Sequence, residues 1–243
     1  MNDAFRLDRA SVEGVINPFD EYAIEEALRL KDRLGAEVTL LCMGPASAQE
    51  ALRRGLAMGA DNAVLISDDR LVGSDALATG YVLAQGLRKM QWDLALCGMA
   101  STDAGTSLVP GIISAHLGLP YIGWVNADLE FKDGTVVVHR TSEKGYDVVE
   151  ARLPAIISIT KAIGEPRYPT MKGIMQAKKK ELVLWSLADL DVDPSRVGAT
   201  AARTRVLNVS TPPPKPKGVV YKDLSPQEAA QKIVEFLVDK KLI

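Results

Sequence analysis

Between Asn17 and Ser186 the chain switches repeatedly between two hydrophobic periods, and no other feature narrows its fold as far. Residues 18–34 place Phe19, Ile24, Ala27, Leu28 and Leu34 close to helical spacing, with Gly35 positioned as a stop. Residues 37–43 (EVTLLCM) form a short apolar run closed by Gly44-Pro45, the mark of a strand buried on both faces. Helical spacing returns over 46–58 and ends at Gly59, and residues 63–66 give the next strand. Residues 74–90 read as a helix with Ser74 as N-cap, 93–97 (DLALC) as a strand, and 106–117 as a helix ended by Gly118. Short buried strands alternating with helices predict a parallel sheet covered on both faces. The expected fold class is α/β, an open, doubly wound, mostly parallel sheet whose ligands bind beyond the carboxyl ends of its strands.

The pattern then changes. Residues 124–131, 136–141 and 146–152 read as an antiparallel addition, with Lys132-Asp133-Gly134 and Glu143-Lys144-Gly145 as the turns between them. Residues 155–160 (AIISIT) return to a buried strand. Beyond Ser186 regularity fades, and Pro212-Pro213-Pro214-Lys215-Pro216-Lys217-Gly218 forms a stiff extended linker. A final amphipathic segment, 225–240, carries Ile233, Phe236 and Leu237 on one face. The division expected is an α/β domain over 1–205 and an arm with a terminal helix over 206–243. One element is missing from the pattern: no strand precedes the first helix, since residues 1–16 are polar apart from 12–16. Either the sheet lacks that strand or the protein starts further upstream.

Composition excludes several classes. With 29 basic and 31 acidic residues the formal net charge is −2, which gives no support for a nucleic-acid or membrane-surface protein. Hydrophobic residues make up 47% and aromatic ones 5%, so the core is aliphatic. Cys42 and Cys97 end apolar runs without metal-ligand spacing, as small buried residues in a reduced compartment do. His116 and His139 lie far apart, which leaves little basis for a zinc site or a Ser-His relay. No stretch approaches the roughly 20 apolar residues of a membrane helix. Residues 1–10 hold Asp3, Arg6, Asp8 and Arg9 and no apolar h-region, so a cytoplasmic location is expected.

Three motifs could carry chemistry. Asn17-Pro18-Phe19-Asp20 opens the first helix; Asn17 suits an N-cap and Pro18 the first helical position, so plain helix initiation would account for both. The loop from Cys97 onward contains Gly98, Ser101, Thr102, Asp103, Ala104, Gly105, Thr106, Ser107, Leu108 and Val109. Its small residues let backbone N–H groups approach a phosphate, and the helix N-terminus adds a partial positive charge. An ordinary strand-to-helix loop has the same look, and neither GxGxxG nor a P-loop Lys is present. The third motif, Glu165-Pro166-Arg167-Tyr168 with Met171, Ile174 and Met175, precedes Lys178-Lys179-Lys180. Apolar side chains exposed beside lysines are costly in water unless covered, which favours partner docking through adaptable methionines; the lysine run alone reads as a solvated face.

In order, these segments resemble the electron transfer flavoprotein beta family from about Arg9 to the end of the chain. The matching pieces are Asn17-Pro18-Phe19-Asp20 with residues 25–31 (EEALRLK), Gly44-Pro45-Ala46, residues 57–61 (AMGAD), residues 153–158 (LPAIIS), Glu165-Pro166-Arg167-Tyr168 and residues 174–180 (IMQAKKK). Their conjunction carries the resemblance. It implies a Rossmann-like, adenine-nucleotide-binding domain holding AMP through Asn17 to Asp20, Met43 and the Gly98 to Val109 loop, with no catalytic residue and no metal. It also implies a heterodimer with an alpha subunit bearing the redox-active FAD, with Phe19 near that ring. Glu165 to Lys180 would be the recognition loop for acyl-CoA dehydrogenases of fatty acid oxidation, with Met171 at a leucine-like anchor position. A quinone reductase or similar acceptor would take the electrons, and the C-terminal arm would wrap the alpha subunit. The sequence departs from the family at the missing first strand, at Thr141 where many members have Glu, at Lys144 in an acidic turn, and at Leu108 where a Gln is usual. Two other readings stay open: a bifurcating flavoprotein with a second FAD in this subunit and NADH as donor, and a stand-alone adenine-nucleotide-binding module.

Overall fold

The structure, a computed structural model, describes residues 11–243 except 13 and 216. What the sequence implied for residues 1–10 lies outside the described residues; 14–17 carry no regular structure. The chain divides into two compact units, one ending at Val206 and the other spanning Leu207–Ile243.

The first unit runs α1 (Pro18–Leu34), β1 (Thr39–Met43), α2 (Gln49–Met58), β2 (Asn62–Ile66), α3 (Ala76–Arg88), β3 (Leu94–Gly98) and α4 (Val109–Leu117). It continues through β4 (Tyr121–Val125), β5 (Glu130–Lys132), β6 (Thr135–Ser142), β7 (Gly145–Arg152), β8 (Ala155–Ile159), α5 (Met171–Ala177), β9 (Leu182–Trp185) and α6 (Gly198–Ala201). Helix α1 begins where Pro18 presets φ, carries Asp20 and Glu21 in its first turn and Lys31 and Arg33 in its last, and stops at Gly35 with φ +74°. Its buried side is not quite the expected one: Leu34 is exposed, whereas Ala23, Leu28 and Leu30 are buried with Glu25 and Glu26.

An α/β fold results, but among the described residues the strands form two sheets rather than one. Strands β1, β2 and β9 pair in parallel, in the order β1-β2-β9. The second sheet runs β3-β8-β4-β6-β5, with β7 paired to β6; β3, β8 and β4 are parallel, and β5, β6 and β7 are antiparallel additions. The same two helices cover both sheets. On one face, α1 meets Leu40 and Cys42 of β1 through Ile24, Ala27 and Leu28, and meets Leu94 and Leu96 of β3 through Ala23 and Leu30. On the other face, Leu83, Ala84 and Leu87 of α3 share a cluster with Leu41 of β1 and with Ala95 and Cys97 of β3. Alternate residues of each strand thus point to opposite helical layers, the arrangement that makes short strands apolar throughout. Strand β8, buried at every residue, is the clearest case.

Several boundaries move for identifiable reasons. Strand β9 is an addition to the expected set; it pairs with β2 as a four-residue apolar edge. Helix α3 is capped by Asp75, whose carboxylate accepts the Ala78 N–H, while the Ser74 hydroxyl donates to the Leu71 carbonyl. The stretch expected as one strand over 124–131 is two: β4 pairs with β8, is irregular between Ile122 and Val125, and holds Trp124 at φ +65°. The Asp133-Gly134 turn between β5 and β6 has both residues at positive φ, as a two-residue hairpin of this hand requires. The second unit contains α7 (Pro226–Asp239), opened by a reciprocal cap in which Ser225 and Glu228 satisfy each other's backbone N–H. Ile233 and Phe236 are exposed on it, and Leu237 is half-buried.

Candidate functional site

Strands β1, β2, β3 and β8 end at Met43, Ile66, Gly98 and Ile159, and the candidate site lies in the loops just past β3 and β8. The first turn of α1 ties the loop after β3 in place. Asn17 makes no side-chain cap to its own helix. Instead its Nδ2 donates to the Ala100 carbonyl at 2.8 Å and to Asp20 Oδ2 at 2.9 Å, and its Oδ1 accepts the Thr102 N–H at 3.1 Å. Asp20 Oδ1 accepts the Gly98 N–H at 2.7 Å. Plain helix initiation therefore does not describe Asn17. Gly98 is required by contact: a Cβ there would sit 2.7 Å from both Asp20 Oδ1 and the Phe19 carbonyl carbon.

Beyond this brace the loop is open. Thr102, Asp103, Ala104, Gly105 and Thr106 are exposed, Ser101 and Ser107 half-buried, and Gly105 (φ +61°) and Ser107 (φ +54°) turn the backbone through the left-handed region. Ser101 organises the turn, its carbonyl accepting the Gly105 N–H at 2.9 Å. The expected helix start at Thr106 is corrected to Val109, because Ser107 cannot be helical at that φ; Pro110 then falls within the first two helical positions. The amides of Thr106, Ser107, Leu108, Val109 and Gly111 have no hydrogen-bond partner among the described residues. Orphan donors at the start of a nine-residue helix, with the helix dipole behind them, are groups that could hold an anion without a lysine. A nucleotide phosphate fits this donor set of backbone amides and Ser and Thr hydroxyls. Met43, expected beside it, ends β1 and packs toward Ile66, Leu71 and Tyr81. Phe19 is half-buried and Pro18 exposed.

The loop after β8 carries the third motif. Tyr168 is 86% exposed, Met171 77% and Met175 68%, with Ile174 also exposed. Thr170 caps α5 by accepting the Gly173 N–H at 3.0 Å, and Gly173 packs so close to α2 that a Cβ would lie 2.3 Å from the Ala57 carbonyl oxygen. Glu165 is exposed and Pro166 half-buried; with Pro18, Glu21 and Tyr22 they border a cleft of about 130 Å³. Lys178 and Lys179 are solvated as expected, but Lys180 is not. Its ammonium donates to the Leu56 carbonyl at 3.2 Å and to the Ala60 carbonyl, and burial together with Lys31 lowers its pKa.

Charge elsewhere is less suited to chemistry. Burial pushes the Cys97 thiol up to about 12 and the Cys42 thiol up to about 11, with Asp20 adding to both, so neither is a ready nucleophile. His116 is tilted against Tyr81, and His139 stacks on Tyr146 at 4.3 Å. No helix among the described residues is long and apolar enough to cross a membrane. Sequence reasoning missed Glu25, Arg29 and Asp32, which hold the loop after β8. A Glu25-Glu26 pair interrupting the apolar side of α1 was the available signal.

The chain belongs to the electron transfer flavoprotein family: a model described as the electron transfer flavoprotein domain matches residues 4–190. Within that family several of its relatives are beta subunits. The electron transfer flavoprotein subunit beta of Megasphaera elsdenii is 41% identical over 245 residues, covering 97% of this chain and 90% of its own. That of Thermoanaerobacterium thermosaccharolyticum is 36% identical over 238 residues, covering 98% and 91%. The caffeyl-CoA reductase-Etf complex subunit CarD of Acetobacterium woodii is 37% identical over 237 residues, covering 97% and 90%.

Proposed function

We propose that this chain is the beta subunit of a heterodimeric, cytoplasmic electron transfer flavoprotein, that it binds AMP, and that it carries no catalytic residue. The observation supporting this most is the brace from Asn17 and Asp20 to Gly98, Ala100 and Thr102, which spends polar side chains on fixing a loop rather than on capping a helix. AMP phosphate would take the amides from Thr106 to Val109, with the Ser101, Thr102, Thr106 and Ser107 hydroxyls within the same loop. The α/β unit is read as a Rossmann-like nucleotide domain in which ligands sit past the strand ends.

FAD, held mainly by the alpha subunit, supplies the redox chemistry when bound. This chain's residues would bind and orient: half-buried Phe19 would offer an apolar edge to the flavin, and the exposed Tyr168, Met171, Ile174 and Met175 would offer a face to an acyl-CoA-dehydrogenase-type donor. A quinone reductase or similar acceptor would reoxidise the complex. The arm over 207–243 would cover the alpha subunit, an assignment supported by the apolar residues Ile233, Phe236 and Val238 left exposed on α7.

A second reading is a bifurcating assembly with NADH as donor and a second FAD where AMP would sit; the CarD relative, a subunit of a caffeyl-CoA reductase-Etf complex, favours it only in that such a chain can serve in a complex with a reductase. The heterodimer itself is tested by co-expression with an alpha subunit of the family from the same organism and size exclusion. A yellow complex of one copy of each is expected; a colourless homomer of this chain that never captures the larger subunit would overturn the proposal.

A further inference from the structure

The exposed side chains after β8 are useful for docking only if the backbone beneath them is fixed, and one buried carboxylate on α1 fixes it. Glu25 is 4% exposed. Its Oε2 accepts the Arg167 backbone N–H and Nε, both at 2.9 Å, and its Oε1 accepts Arg167 Nη2 at 3.1 Å and Arg29 Nε at 3.3 Å. Arg167 Nη2 also reaches Asp32 Oδ2 at 2.9 Å. Arg29 completes the clamp from the other end of the segment, donating from Nη1 to the Ile163 carbonyl at 2.7 Å. Gly164, at φ +124°, lies so close over that guanidinium that a Cβ would be 2.7 Å from Arg29 Nη2.

The segment 163–167 is thus held on α1 at both ends, and Gly173 is seated on α2. Between these fixed points stand Tyr168 and Met171, both exposed. We propose that Glu25 is a positioning residue for partner docking: through Arg167 and Arg29 it holds the 163–171 backbone in the conformation an electron donor recognises. This rests on the reading of Tyr168 and Met171 as the donor's contact face. Holding the Arg167 backbone ready in advance removes about one residue's ordering cost from the encounter, so losing the clamp weakens docking by roughly tenfold while leaving electron transfer within the docked complex unchanged.

The test uses the assembled heterodimer with Glu25→Gln and, should that variant fold poorly, Arg167→Gln, whose site is more exposed. Hydrogen exchange at the Arg167 amide reports the clamp itself. Steady-state reduction of the heterodimer's flavin by an acyl-CoA dehydrogenase reports docking as KM for the carrier, separately from kcat. Faster exchange over 163–171 with KM raised about tenfold, kcat retained and partial recovery in Arg167→Lys supports the proposal. Unchanged exchange, or faster exchange with an unchanged KM, overturns it. Tyr168→Ala and Met171→Ala, with the clamp intact, test the underlying reading: a KM raised in these but not in Glu25→Gln sinks the clamp alone. A KM unmoved by either sinks the docking face with it.

Discussion

Replacing Asn17 by Ser or by Asp separates a helix cap from a site brace. Ser, Asp and Asn are nearly equivalent N-caps, so a capping role predicts changes of only a few tenths of a kcal/mol for either substitution. The structure predicts otherwise. The Asn17 amide group makes three hydrogen bonds, to Ala100, Thr102 and Asp20. A Ser hydroxyl is one bond shorter and cannot span Ala100 and Thr102 together. Asp keeps the acceptor for the Thr102 N–H but loses both donations and brings a carboxylate toward Asp20 Oδ2, now 2.9 Å from the Asn17 nitrogen. At about 0.5–1.5 kcal/mol per hydrogen bond, loss of two or three costs about 1–4 kcal/mol, most of it as freedom of the 98–102 backbone. At 1.4 kcal/mol per factor of ten, AMP affinity then falls about fivefold to several hundredfold, with Asn17→Asp the worse of the two. Calorimetric titration of AMP into nucleotide-stripped heterodimer measures this directly. Wild-type affinity in both variants would refute the brace.

Other consequences follow from the same geometry. Gly98→Ala drives a methyl into backbone atoms of Phe19 and Asp20; overpacking of about 1–3 kcal/mol should lower Tm by several degrees and reduce bound AMP, both read on one purified sample. Glu26 is 1% exposed, its Oε2 has no hydrogen-bond partner among the described residues, and burial raises its pKa. The folded state therefore binds that proton more tightly than the unfolded one, so the ionised group costs stability above the folded pKa, and the cost fades as pH falls through it. Glu26→Gln should stabilise by about 1–3 kcal/mol at pH 7 and by progressively less as pH falls from the raised folded pKa toward the ordinary carboxylate range, below which no difference remains, measured by denaturant unfolding across pH. With thiols pushed up to about 12 and about 11, Cys97 and Cys42 should resist iodoacetamide at pH 8 in the folded protein and react on unfolding; rapid native labelling would contradict the raised thiol pKa values.

The parts of the fold legible in the sequence are those that depend on neighbouring residues. Helix α1 can be read to its limits because Pro18 and Gly35 mark them, and β1, β2, β3 and β8 are found within two residues because each is a short apolar run. What depends on distant partners is not legible. Strand β9 is four residues after a lysine run, and only its pairing with β2 makes it a strand. Among the described residues, the division into two sheets is a matter of pairing, and its one trace in the sequence is the absence of a strand before the first helix. The start of α4 falls later than its sequence suggests, since nothing in Thr106-Ser107 announces a positive φ at Ser107. At the candidate site, Asn17, Asp20 and the Gly98 loop stand out in the sequence, but the bond joining Asp20 to Gly98 spans 78 positions and Glu25 reaches Arg167 across 142. Such contacts come from the topology, in which α1 lies over β3 and passes under the loop after β8.

Nucleotide analysis of the native heterodimer tests the central claim most directly. Acid extraction followed by chromatography should release one AMP and one FAD for each pair of subunits. Two flavins without AMP would move the chain to the bifurcating reading, and a flavin-bearing heterodimer whose beta subunit yields no nucleotide of either kind would contradict the site described at the Asn17–Gly98 brace.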